Sequence, residues 1–400
     1  MRWAGWTWLA LVGLFLAGTR GFVYRIRLGV GGVSGSLLDD RVSNAIFYVV
    51  YGLIATMFAT RSRDLRQLAV VAPLAVVVGV PCASTAWSIE WSRTLNQSLL
   101  MALGTLAVAL VVTTARPLDV IGSLFAAAQV VVGLSVLARA REWQFSIDRH
   151  GNLTGFVYNR NALGLVAVLG VATGVILACR MRSTRWVFPI AAVVIVDAAV
   201  WWRTGSATPV VALVVAALVA GWIVAWQRRV VARSPLVVVA VVVILACFAG
   251  LFARAPLAEM FGRDSTFTGR TSTWKLVVDA WWQRPWHGFG FMAGWFDGDL
   301  RRGLAEIGFN HWEAHNGYLE VLLGAGLLGA SALAWFLVRL IGGLARAIDD
   351  SWAPWLGAAT TFALVLNVSE TQVGPHRSGW FLLVATAVQI ASSAGRRQPR

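Results

Sequence analysis

Residues 206–226 read SATPVVALVVAALVAGWIVAW, and the seven residues after them, QRRVVAR, hold Arg228, Arg229 and Arg233. A helix needs roughly 20 mostly apolar residues to cross a bilayer, where every backbone polar group must be satisfied within the segment. A basic cluster just beyond such a run marks the end retained in the cytoplasm. Runs of the same kind lie near residues 3–18, 44–60, 67–84, 97–113, 118–137, 161–179 and 186–202 on one side. On the other side are 235–253, 317–341, 352–368 and 378–393. The expected fold class is therefore an all-α polytopic membrane protein with about twelve transmembrane helices.

Composition points the same way. Of the 400 residues, 58% are hydrophobic and 13% charged, about half the charged share of an ordinary soluble domain. A net charge of +15 would suit nucleic acid if the arginines lined one face of a soluble domain. They sit instead in short gaps between apolar runs, which excludes a nucleic-acid partner. With the N-terminus inside, the cytoplasmic loops hold Arg61, Arg63 and Arg66, then Arg180, Arg182 and Arg185, then Arg228, Arg229 and Arg233, and the tail Arg396, Arg397 and Arg400. The run behind Arg2 lacks a small-residue cleavage site and reads as a first span, not a signal peptide. Cys82, Cys179 and Cys247 fall within or beside apolar runs and imply no disulfide framework.

This alternation puts residues 19–43, 138–160 and 254–316 on the outer face. The expected organisation is a membrane segment over 1–253, an extracytoplasmic loop subdomain over 254–316 and a membrane segment over 317–400. The loop is expected to contain short helices. Trp274, Val278 and Trp281 recur at helical spacing after the capping residues Thr271 to Thr273, and Pro285 ends that helix. Exposed tryptophans on such a helix favour the membrane surface.

The chemistry-bearing residues gather in and beside this loop. The chain reads Thr268-Gly269-Arg270-Thr271, then Trp274, then Arg284-Pro285-Trp286-His287-Gly288-Phe289-Gly290, then His315-Asn316-Gly317-Tyr318-Leu319-Glu320 and Gly326-Leu327-Leu328-Gly329. This order resembles the O-antigen ligase and O-antigen polymerase-like family of bacterial membrane proteins. Weaker echoes are Ala86-Trp87-Ser88, Trp91-Ser92 and Phe156-Val157-Tyr158-Asn159-Arg160-Asn161. The resemblance implies transfer of a glycan from an undecaprenyl-diphosphate-linked oligosaccharide to a glycan or lipid-glycan acceptor, on the outer face of the cytoplasmic membrane, without a cofactor.

The residues suit that reaction. A departing diphosphate gathers negative charge, which the planar fork of Arg270 can meet. A histidine can take the acceptor hydroxyl's proton, and His315 is the candidate general base. Asn316 reads as an N-cap, and the helix start behind it as an anion-friendly end with free N–H groups. Arg284 and Asn161 complete the expected substrate contacts. Many relatives carry a second arginine after a serine at the start of a span, where this chain has Gly205-Ser206-Ala207-Thr208-Pro209. Arg203 or Arg160 is then expected to supply that charge. The Ser-Ala-Thr form resembles the exopolysaccharide-polymerase branch more than the lipid A core ligases.

His311 and His315 stand four apart around Glu313, but the order fits no common zinc signature, so no metal is expected. The glycines at 288 and 290 read as a tight turn, with no strand before them to make a phosphate cradle. Asp197 is a charge within a span and a functional suspect for that reason. The alternative function is a transporter or flippase of lipid-linked sugars, for which inverted repeats and broken helices around a midplane site would be the sign.

Overall fold

The computed structural model describes residues 2–19, 41–60, 72–143, 146–148, 150–157, 159–180, 184–230, 270–309 and 312–395. Eleven of the twelve apolar stretches carry a helix, and the remaining one, 235–253, lies outside the described residues. The helices are α1 (Arg2–Gly18), α2 (Arg41–Ala59), α3 (Ala72–Ala83), α4 (Trp91–Thr113), α5 (Pro117–Ala140), α6 (Arg160–Arg180), α7 (Val187–Thr204) and α8 (Thr208–Gln227). After them come α9 (Arg270–Gln283), α10 (Gly298–Glu306), α11 (Gly317–Arg346), α12 (Ala353–Ser369) and α13 (Ser378–Gly395). Among the described residues there are no strands, only one isolated bridge between Ile147 and Leu153. Seven of the helical segments are long and apolar enough to cross a membrane. The segments around α1, α3, α12 and α13 are apolar but shorter.

The chain folds as two compact units, each assembled from segments far apart in sequence. The first comprises residues 1–65, 103–214 and 376–389; the second comprises 66–102, 215–375 and 390–400. In the first, α5, α6 and α7 pack around Val131, Val132, Leu163, Val166 and Val200. Small residues permit the close approach. A Cβ on Gly174 would come within 2.5 Å of Val194 and 2.9 Å of Phe125. Asp197, fully buried in α7, accepts a 2.8 Å bond from Gln129 of α5 and abuts Gly170 of α6. The intramembrane charge is thus a polar contact among three packed helices, the usual way such a group is accommodated.

The second unit carries the loop. Its core joins α9, α10 and α11 through Val277, Ala280, Phe289, Trp295, Leu300, Leu304 and Leu323. The loop helix starts at Arg270, one residue ahead of the expected caps, and ends before Pro285 as its ring requires. Its buried stripe is Thr273, Val277 and Ala280, one position before the recurring Trp274, Val278 and Trp281. Trp274 flanks the buried face and donates from its indole N–H to Ala314 O at 2.8 Å. Trp282 and Trp286 are the tryptophans left exposed there.

Candidate active site

The long helix α11 is broken at Gly326, whose φ of 60° and ψ of −154° no helix contains. The break frees backbone groups on both sides, and these must find partners. The turn after α9 supplies them. Phe289 N donates to Leu323 O at 3.0 Å and Gly290 N to Gly324 O at 2.9 Å. In return Leu327 N donates to Pro285 O at 2.8 Å and Leu328 N to Trp286 O at 3.0 Å. The two backbones touch so closely that a Cβ on Gly326 would lie 2.5 Å from Trp286 C, and one on Gly288 2.6 Å from Leu323 O. Gly288 and Gly290 also have positive φ. The Arg-Pro-x-x-Gly-x-Gly and Gly-x-x-Gly elements are two halves of one backbone joint.

The echoes near the third span collar the same joint. Trp87 Nε1 donates to His287 O at 2.8 Å, Phe291 N to Ser84 Oγ at 3.0 Å and Thr94 Oγ1 to Phe291 O at 3.0 Å. Ile89 N reaches Phe289 O at 3.1 Å, and Arg93 Nε reaches Met292 O at 3.1 Å. Arg284, an expected substrate contact, instead lays its guanidinium 4.9 Å from the Phe289 ring centre and accepts Gly288 N on its carbonyl.

The joint aims the first turns of α11, and His315 sits just before them. Its φ of 51° is unusual for a residue with a side chain, so its neighbours must hold it there. On one side Ala314 N donates to Glu320 Oε1 at 2.6 Å while Ala314 O receives Trp274. Glu320 is itself fixed by Trp295 Nε1 at 2.9 Å. On the other side Asn316 caps α11, its Oδ1 accepting Tyr318 N at 3.0 Å and Leu319 N at 3.1 Å. Those N–H groups are therefore spent within the chain. The expectation that they are free for an anion is corrected, and Asn316 is a capping residue.

His315 meets two partners from distant parts of the chain. Its Nδ1 lies 3.4 Å from Glu370 Oε2, and Arg270 Nη2 donates to Glu370 Oε1 at 3.1 Å. Arg270 Nη1 also donates to Ser369 O at 2.6 Å. The three side chains are each about one-seventh exposed or less. Burial pushes the Glu370 carboxyl up, but the adjacent His315 and the charge of Arg270 outweigh burial, while Glu313 opposes them; the net direction is downward. Glu370 is the residue that sequence reasoning missed. It follows an apolar run with no pattern around it, and its partners lie 100 and 55 positions away.

Ligating atoms of Glu313, His315 and Glu370 lie within 4.8 Å of one another, a spacing compatible with a cation. However, each Glu370 oxygen is already turned to a basic group of the chain, one to Arg270 and one to His315. His311, the other histidine of the expected pair, lies outside the described residues.

Arg203, Arg160 and Asn161 belong to the first unit. Arg160 lies 3.9 Å from Asp148, whose carboxylate also receives the backbone N–H groups of His150 and Asn152. Asn161 Oδ1 accepts Ser206 Oγ at 3.1 Å, tying α6 to the Gly-Ser-Ala-Thr segment. Arg203 instead lines a hollow of about 260 Å³ with Arg139, Val136, Ile147 and Leu153. Among the described residues neither Arg203 nor Arg139 forms an ion pair.

Residues 193–334 match the family model described as O-antigen ligase. The chain is O-antigen ligase-like over that stretch. It is also 30% identical over 150 residues to the exopolysaccharide production protein ExoQ of Rhizobium meliloti, a match spanning 34% of each protein. The ligase-like stretch contains Arg203, Arg270, Arg284, His315 and Asn316, the break in α11 and the turn that fills it. Glu370, Arg160 and Asn161 lie outside it.

Proposed function

We propose that the protein is a membrane glycosyltransferase of polysaccharide assembly, acting as a polymerase or ligase. It moves a glycan from undecaprenyl diphosphate to an acceptor hydroxyl on the outer face of the bacterial cytoplasmic membrane. The observation that carries this proposal is the cluster of His315, Glu370 and Arg270, which puts a base, a carboxylate and a guanidinium in one largely buried place beside the ligase-like backbone joint.

In the proposed step the acceptor oxygen bonds to the anomeric carbon while its proton passes to His315. The bond from that carbon to the diphosphate oxygen breaks, and its electron pair leaves with the lipid diphosphate. His315 then releases the proton to water. A single displacement inverts the anomeric centre and uses no metal or cofactor. Arg270 commits two of its N–H groups to Glu370 and Ser369, and a guanidinium has five. The remaining donors serve the leaving diphosphate. The hollow at Arg203 and Arg139 offers guanidinium groups beside an apolar wall, a fit for a lipid-borne phosphate. Arg203 is therefore preferred over the paired Arg160 as the second positive charge.

The test is reconstitution with lipid-linked oligosaccharides. Ladder-like products identify a polymerase and a single transfer identifies a ligase. His315→Ala is expected to lose transfer by about 10²- to 10⁴-fold while still binding the donor. Full activity in a folded His315→Ala protein sinks the base assignment, and loss of wild-type activity on chelation sinks the metal-independent step.

A further inference from the structure

We infer that Glu370 is a positioning residue that fixes which nitrogen of His315 carries the ring proton. The inference rests on His315 being the base proposed above.

A neutral imidazole has one N–H and one bare nitrogen, and the partner of the first decides which is which. Glu370 presents Oε2 at 3.4 Å from His315 Nδ1, an ion-pair separation and not yet a formed hydrogen bond. Such contacts commonly tighten once substrate binds. An ionised carboxylate can only accept, so once the pair closes to a hydrogen bond the ring hydrogen stands on Nδ1. Nε2 is then the nitrogen without a hydrogen, the one that takes the acceptor's proton in the proposed step.

Two features keep the carboxylate in place. Arg270 from α9 holds its other oxygen at 3.1 Å and grips Ser369 O. The chain after Glu370 folds back because Asn367 Oδ1 accepts Gln372 N at 2.8 Å and Val373 N at 3.1 Å. Arg270, Glu313 and Glu370 are the charged groups gathered around the imidazole. When His315 gains a proton in the step, the Glu370 charge stabilises the imidazolium.

The decisive variant is Glu370→Gln. Its amide oxygen can still accept from Arg270, but its NH₂ donates to Nδ1, which drives the ring hydrogen to Nε2 and removes the base. The expected result is a fall in kcat of about 10²- to 10⁴-fold with little change in donor KM. Glu370→Asp, which keeps the charge, should regain part of the rate. Wild-type kcat in Glu370→Gln overturns the inference, as does a loss of kcat with the ring hydrogen of His315 still on Nδ1 in ¹⁵N spectra of the variant, which a purely structural role predicts.

Should Glu370→Gln not fold, ¹⁵N spectra of the wild-type imidazoles decide, with His315 assigned by its absence in His315→Gln. A hydrogen on Nδ1 supports the inference and one on Nε2 overturns it. Activity in His315→Ala, by contrast, defeats the base proposal whatever Glu370 does, so the two failures are told apart.

Discussion

The break in α11 and the loop before α6 both present polar residues at a helix end, yet they are built by different means. At the break, backbone meets backbone: the turn at 285–290 and the residues around Gly326 exchange four hydrogen bonds without a side chain between them. Before α6 the chain is organised by side chains. Asp148 gathers the N–H groups of His150 and Asn152, Asn159 caps Asn161 and Ala162, and Ser135 Oγ receives Phe156 N. A backbone joint tolerates no added atom at its glycines, whereas a side-chain scaffold gives way one bond at a time.

That difference can be broken or sharpened by substitution. The largest effect is expected at Gly326. An alanine there pays for a left-handed φ and for a clash with Trp286, together about 3 kcal/mol or more, and should abolish recovery of folded protein in size-exclusion chromatography. Asn159→Ala should cost only about 1 kcal/mol, the worth of an N-cap, read as a modest fall in melting temperature. If the two variants melted alike, the contrast between the regions would fail. A smaller stability effect is expected for Arg160→Ala, a partly exposed pair worth under about 1 kcal/mol. Arg203→Ala should leave stability unchanged but raise the donor KM. A raised KM in Arg160→Ala alone would reverse the preference for Arg203.

A pH test bears on the second unit. Because the Glu370 carboxyl is held below its ordinary value by His315 and Arg270 against burial, its contribution is complete above the unfolded value. It is lost as pH falls through the folded value. Acid should therefore destabilise the wild type more than Glu370→Gln over that window, as thermal unfolding against pH would show.

The helices were legible because apolar runs of membrane length leave little other choice, and eleven of them stand where the apolar pattern put them. The loop helix was legible too, but the tryptophan spacing did not show which face the helix buries. A large indole such as Trp274 can flank the core and satisfy its N–H at Ala314 while Thr273 and Val277 take the interior. Gly326 stood out only as part of the Gly-x-x-Gly element of the family resemblance, and nothing local marked it as a break, since a lone glycine is tolerated in a helix. The signal was the matching Gly-x-Gly at 288 and 290, whose partner could not be known before the fold brought them together. Glu370 was beyond reach for the same reason. Its meaning lies wholly in contacts with Arg270 and His315, and no local spacing encodes a contact across 100 positions.

The joint also decides what His315 is measured against. A helix long enough to cross a bilayer tilts as lipid thickness changes, and a residue carried on its end would swing with it. Here both pieces of α11 are bolted to the same turn, the shorter through Leu323 and Gly324 and the longer through Leu327 and Leu328. The imidazole is therefore referenced to a surveyor's mark inside the protein, and its distance to Glu370 should be indifferent to whether the surrounding lipid is thick or thin.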